Sequence, residues 1–211
     1  NPVPTLLLID EVLMYARERG INLFDTAETY GEDAERILGE AVGGDDVFIS
    51  TKVGLREGNR PSLSYQDVID SCERSLERLG TDHIDLYLVH FDDPGTPVSE
   101  TVEAFEELKE DGKIEHYGVS HLSTGKIEKF IEEEDVLLCL LELIPVARDS
   151  KKELIPLLNK NDIPYLAFSV TGRGILTGKF DKRPDFEPSD IRNVDPLFRK
   201  ARFDSAMRVT E

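Results

Sequence analysis

Four side chains able to exchange protons, Asp25, Tyr30, Lys52 and His90, stand at or just beyond the ends of apolar runs. A carboxylate, a phenol, an ammonium and an imidazole together suit proton transfer and the steadying of charge on a substrate oxygen. A strand-end amine such as Lys52 would also permit a Schiff base. The runs are Ile21 to Phe24 ahead of Asp25, Val47 to Ser50 ahead of Lys52, and Ile84 to Val89 ahead of His90, each followed by polar residues and then a helical pattern. In a barrel of parallel strands the C-terminal strand ends converge on one mouth, so this spacing predicts one site. Any one of the four alone would be unremarkable, since loops are polar.

The elements that position them follow from periodicity. Apolar strand patterns cover residues 21–25, 47–52, 84–90, 114–120, 136–143 and 163–169 and alternate with amphipathic helical patterns. Such alternation argues for a parallel sheet with crossover helices. Ser64 is placed to cap a helix whose apolar face is Tyr65, Val68, Ile69, Cys72, Leu76 and Leu79, with Gly80 as its left-handed stop. Val98, Val102, Phe105 and Leu108 form the next stripe, ended by Gly112. Ser150 and Glu153 read as a capping box, with Pro156 two turns in and expected to bend or shorten that helix.

The chain has 211 residues and a formal net charge of −18, with a pI near 4.6. That acidity argues against nucleic acid and anionic membrane surfaces as partners, because both would repel it at long range. A 39% hydrophobic content is enough for a real core, so the charge reads as a solvated surface. One domain, 1–211, is the expectation from length. Cys72 and Cys139 lack metal-ligand spacing and read as small buried hydrophobes, no metal site is expected, and a reducing cytoplasm fits. No apolar stretch approaches the ~18 residues that span a bilayer, and no signal peptide is read ahead of the first helix. That helix carries Ile9, Val12, Leu13 and Ala16 on one face and stops at Gly20, so a strand is expected before it. The segment from Asn193 to Glu211 breaks off in a helical pattern that leads nowhere. Since a closed eight-stranded barrel takes roughly 250 residues, a barrel trimmed or partly ordered at both ends is expected.

The stretch Gly20-Ile21-Asn22-Leu23-Phe24-Asp25-Thr26-Ala27-Glu28-Thr29-Tyr30-Gly31, continuing to Glu35 and Leu38-Gly39, closely resembles the aldo-keto reductase signature. Lys52 and His90 fall where that family's remaining catalytic residues would, and the resemblance covers nearly the whole chain. It implies a (β/α)8 TIM-type barrel that reduces an aldehyde or ketone with NADPH. Tyr30 would be the general acid, Lys52 the ammonium that brings its pKa toward the working range, Asp25 the holder of Lys52, and His90 a hydrogen-bond donor to the substrate oxygen. No side chain donates hydride, so a nicotinamide is implied. The resemblance assigns the carboxamide to Ser120 and His121 of Gly118-Val119-Ser120-His121, where the family commonly has Gly-Val-Ser-Asn. The run from Ala167 to Lys179, with Val170 replacing the usual proline, is similar to the family's diphosphate-contacting loop, which implies Phe168 at the nicotinamide ring and Ser169 at the diphosphate; Lys179 and Arg192, read from their type and place, would supply positive charge to phosphates. Leu140 and Leu143 stand near positions where a Gln and an aromatic are expected. Imidazole cannot present both an amide carbonyl and an amide nitrogen, so weak cofactor binding is expected. Two rivals stay open: a regulatory or nicotinamide-sensing protein on the same scaffold, and a barrel enzyme with a Lys52 Schiff base. Lys113 and His116 lie at the N-terminal side of a strand and read as structural. The loops carry no diagnostic charge cluster, so the expected partner is a small carbonyl compound and nothing narrower.

Overall fold

Residues 6–31, 33–42, 47–56, 60–134, 136–188 and 190–209 are described by a computed structural model. Its strands are β1 (Leu23–Asp25), β2 (Phe48–Val53), β3 (Leu55–Arg56), β4 (Arg60–Pro61), β5 (Ile84–Val89), β6 (Ile114–Ser120), β7 (Leu138–Glu142) and β8 (Tyr165–Phe168). Its helices are α1 (Leu6–Glu18), α2 (Ala34–Val42), α3 (Tyr65–Leu79), α4 (Val98–Glu110), α5 (Thr124–Glu133), α6 (Leu154–Lys160) and α7 (Lys200–Met207). All six expected strands are present, with ends within two residues of the expected bounds. The largest offset at the start has a simple cause: Ile21 donates its N–H back to Ala16 in the turn after α1, so pairing begins only at Leu23. The β3–β4 antiparallel pair was not expected.

The described residues form two compact units, 1–139 and 140–211. In the first, β1, β2, β5 and β6 lie side by side in chain order and all pair in parallel. A strand order without a reversal is that of a barrel wall, not of a doubly wound sheet. The register pairs Asp25 with Ser50, Lys52 with Leu88, and Leu88 with Gly118. Side chains alternate faces along a strand, so Asp25, Ser50, Lys52, Leu88 and Ser120 share one face, and His90, two residues beyond Leu88, continues it. Thr51, Tyr87 and Tyr117 occupy the other face, where Tyr87 meets Phe105 of α4 edge-on at 5.8 Å and Tyr117 stacks on it at 4.8 Å.

The helices close on that second face as their stripes require. Val68, Cys72, Leu76 and Leu79 of α3 and Val102, Phe105 and Leu108 of α4 are buried, and Gly80 (φ 67°) and Gly112 (φ 70°) supply the left-handed stops. Ser64 sits at the cap position, but its hydroxyl donates to the Asp67 carboxylate (2.6 Å) and caps no backbone N–H. Gly39 of α2 lies so close to the end of α3 that a Cβ there would overlap the Leu79 carbonyl. Gly39→Ala is therefore expected to destabilise the chain by about 1–3 kcal/mol, read as a lower urea midpoint at unchanged slope.

The second unit corrects two expectations. Ser150 lies in a 3₁₀ turn and donates to the Glu142 carbonyl, and α6 starts only at Leu154, so no capping box forms. Pro156 then falls in the first turn, where its missing N–H leaves no bond unmade. The C-terminal segment is not idle either: Leu197, Phe198, Phe203 and Ala206 are buried against Ile144 and Ile175, with Phe180 and Phe186 packed beside them. Residues 210–211 lie outside the described set. Among the described residues no helix is long and apolar enough to cross a membrane, and no cluster of three or more His, Cys, Asp or Glu could hold a metal.

Candidate active site

Strand ends gather the four expected residues. Asp25 ends β1, Lys52 is the penultimate residue of β2, and His90 follows β5 with its N–H on the Val53 carbonyl (2.7 Å). Lys52 is 1% exposed, and its Nζ donates to Asp25 Oδ2 and to the Thr26 carbonyl, both at 2.6 Å. Ser50 Oγ donates to the other Asp25 oxygen (2.9 Å). Tyr30 belongs to a 3₁₀ turn, Glu28–Tyr30, which begins after the buried, extended Ala27. Its ring lies 5.0 Å from Lys52 Nζ and edge-on to the His90 ring at 5.6 Å. Thr29 Oγ1 is 3.2 Å from His90 Nδ1.

The electrostatics differ from the expectation at one point. Tyr30 is held above 10, first by burial and then by the Asp25 carboxylate. The Lys52 ammonium sits against the ring face, with its hydrogen bonds going to Asp25 and Thr26. Burial also lowers Lys52, with Asp25 opposing. His90 is pushed down to about 3 by burial, helped by Lys52 and His121, so its ring is neutral at neutral pH. The unfolded chain takes up that proton near 6.5, whereas the folded chain resists until about 3. This contribution to stability is present above pH 6.5 and lost as pH falls toward 3. His90→Asn is expected to reduce the acid slope in that window by up to about 1.4 kcal/mol per pH unit, measured by urea unfolding.

Of the residues expected at the cofactor, Ser120 and His121 lie in the first unit. Ser120 is fully buried and donates to the Val89 carbonyl (2.8 Å), which leaves its lone pairs able to accept an amide N–H. His121, at φ 50°, stacks on Phe91 at 5.6 Å, and Phe91 in turn lies 4.1 Å from the His90 ring. The rest lie in the second unit. Half-buried Phe168 ends β8, and Ser169 follows at φ 53°. The loop beyond turns on Gly172, Gly174 and Gly178, all at positive φ, and Lys179 folds over Gly174, where a Cβ would stand 2.6 Å from its Nζ. A bare backbone beside an ammonium fits a phosphate. Arg192 is engaged differently: it forms a two-point pair with Asp190 (2.9 and 2.5 Å) that holds this carboxyl at about 2, and it lies 4.2 Å over the Phe186 ring. Arg173, not singled out from sequence, pairs with Glu142 (3.0 Å) and Asp195 (2.5 Å).

A second group missed by the sequence reading lies behind the site, on the helix face. Buried Glu35 accepts from Thr51 Oγ1 (2.5 Å) and Arg78 Nε (2.6 Å). Glu28 stands 3.8 and 3.9 Å from Arg78 and Arg74. The available signal was polar: Ser71, Arg74, Ser75 and Arg78 recur at helical spacing beside the apolar stripe of α3. Lys113 pairs with Glu73 at 2.6 Å, and His116 is half exposed, as structural residues would be.

The chain is similar to known proteins over most of its length. The chain is 35% identical over 201 residues to aldo-keto reductase YhdN of Bacillus subtilis (strain 168), covering 92% of this chain and 61% of that protein. It is 29% identical over 210 residues to the NADH-specific methylglyoxal reductase of Escherichia coli (strain K12), covering 90% and 64%. Among solved structures it superposes on the glycerol dehydrogenase AKR11B4 of Gluconobacter oxydans with a TM-score of 0.86 at 31% identity, over 95% of this chain and 65% of that one. The chain thus spans about three fifths of the curated relatives it matches, and its parallel-strand α/β fold is that of an incomplete (β/α)8 barrel. Sequence match to the aldo/keto reductase family runs over residues 9–203, from α1 into α7 and through every strand end described above, and the chain belongs to that family.

Proposed function

We propose that this chain reduces the carbonyl of an aldehyde or ketone to an alcohol with NADPH, Tyr30 giving the proton. The observation that carries the reading is the buried Lys52 ammonium, shared between the Asp25 carboxylate and the face of the Tyr30 ring. A nicotinamide, when bound, supplies the hydride to the carbonyl carbon. Tyr30 enters the reaction fully protonated, since burial and Asp25 hold it above 10. As it yields its proton to the substrate oxygen, the nearby ammonium offsets the negative charge left on the phenol ring. Asp25 keeps Lys52 charged against the pull of burial. His90 stays neutral; in the tautomer whose Nδ1 accepts from the Thr29 hydroxyl 3.2 Å away, its Nε2–H is left to donate to the substrate oxygen. Ser120 and His121 would hold the carboxamide, Phe168 would lie under the ring, and Ser169 and Lys179 would meet phosphate, with Arg192 contributing less because Asp190 already answers its charge.

The name of the E. coli relative suggests methylglyoxal as the first probe and NADH as the cofactor to compare. Steady turnover of methylglyoxal with either nicotinamide, followed by the loss of reduced-cofactor absorbance, is the expected result. Binding without turnover would favour the sensing reading, which draws on His121, Leu140 and Leu143 standing where an amide, a Gln and an aromatic are expected. Both cysteines, Cys72 and Cys139, are buried thiols pushed up to about 12, which suits a reducing cytoplasm.

A further inference from the structure

Three consecutive side chains of the 3₁₀ turn Glu28–Tyr30 leave it in different directions, as its roughly 120° per residue requires. Thr29 reaches His90, and Tyr30 lies against His90 and Lys52. Glu28 goes the other way, into the helix face of the sheet, where its side chain is 10% exposed. Its Oε2 is 3.8 Å from Arg78 and 3.9 Å from Arg74 of α3, too far to hydrogen-bond, and its Oε1 has no partner. Glu35 from α2 and the fully buried Tyr87 from β5, its hydroxyl also without a partner among the described residues, are further titratable groups around it. The backbone fixes this turn weakly: the Tyr30 N–H to Ala27 carbonyl bond (3.1 Å) closes it, between an extended Ala27 and Gly31 at φ 116°.

We propose that Glu28 is a positioning residue for Tyr30, its carboxylate drawing the turn against Arg74 and Arg78 and so setting where the phenol and the Thr29–His90 contact stand. This rests on the reading of Tyr30 as proton donor. Burial raises Glu28 to about 7, Arg74 and Arg78 oppose that rise, and Glu35 adds to it. Attraction to the arginines is full when Glu28 is ionised and lost when it is protonated, so its hold on the turn changes across neutral pH. A shift of about 1 Å at a reacting group can cost roughly 10²-fold in rate, so a loosened turn is costly.

The test follows Tyr30 itself. In the full chain labelled with ring-¹³C tyrosine, the Tyr30 resonance, assigned by its absence in Tyr30→Phe, is recorded from pH 5.5 to 8.5, a range in which the phenol does not titrate. The resonance is expected to move with a midpoint near 7, to stay still in Glu28→Gln, and to show a raised midpoint in Arg74→Gln, which removes a charge that favours ionised Glu28. In parallel, Glu28→Gln should lower kcat for methylglyoxal about tenfold, leave the nicotinamide Kd within twofold and remove the ionisation near 7 from the pH profile. A Tyr30 resonance that does not move in the wild type, or moves equally in Glu28→Gln, overturns the proposal. If Glu28→Gln does not fold, the half-exposed Arg74 carries the test, and an unchanged midpoint in Arg74→Gln overturns it. Undiminished turnover in Tyr30→Phe would defeat the catalytic reading, while the ¹³C titration would still decide whether Glu28 governs the turn.

Discussion

Tyr30→Phe is expected to lower carbonyl reduction by roughly 10²–10⁴-fold, the usual contribution of a positioned proton donor, while changing stability by no more than about 0.5 kcal/mol. The side chain is 55% exposed, and the substitution removes one oxygen without disturbing the ring contacts to His90 and Lys52. Nicotinamide binding should be unaffected, so the loss belongs in kcat and in kcat/KM together. Stopped-flow single turnover with methylglyoxal checks this directly. Retained turnover would move the acid role elsewhere, and His90 is a poor second choice: with a pKa of about 3 it carries no extra proton to give at neutral pH. Its part is a hydrogen bond, not a proton.

Glu35→Ala is expected to be the most destabilising of these substitutions, at about 3 kcal/mol, or a Tm lower by roughly 6–12 °C. Glu35 is 1% exposed and takes hydrogen bonds from Thr51 and Arg78, so removing it leaves a buried hydroxyl without its partner and a guanidinium with only the more distant Glu28 carboxylate, 3.8 Å away, to answer its charge. The Arg78 side chain is 29% exposed and recovers part of its hydration, which keeps the estimate at the low end of the range for broken buried pairs. The double replacement Glu35→Leu with Arg78→Leu should be less destabilised than Glu35→Ala, because the guanidinium leaves with its carboxylate while Glu28 keeps Arg74 at 3.9 Å. Thermal unfolding of the three proteins measures the coupling. A Glu35→Ala protein as stable as the wild type would show that water replaces the carboxylate and that the pair contributes nothing net.

The sequence by itself determined what depends on neighbours in the chain. Alternating apolar runs gave six strands, helical stripes gave the buried faces of α3 and α4, and Gly80 and Gly112 marked where those helices stop. The strand-end positions of Asp25, Lys52 and His90, with Tyr30 one turn beyond, were equally local. Where an element's start hung on one hydrogen bond, the local pattern misled: Ser150 had the spacing of a capping box, yet its hydroxyl found the Glu142 carbonyl and α6 began later. Tertiary structure alone decided the pairings. The register of β1, β2 and β5 put Asp25 and Lys52 on one face and Thr51 and Tyr87 on the other. Burial at that face made Lys52 a partner of Asp25 and Thr26, left the Tyr30 phenol above its ordinary value, and kept His90 neutral. Arg192 reads in sequence as a cation available to phosphate, and in the fold it is joined to Asp190. Glu28 reads as one more acid in an acidic chain, and in the fold it is a largely covered one, with its side chain 10% exposed between two arginines. The division has one physical cause. Backbone preference and periodicity act over a few residues, whereas desolvation and charge pairing depend on which distant side chain the register brings within a few ångströms.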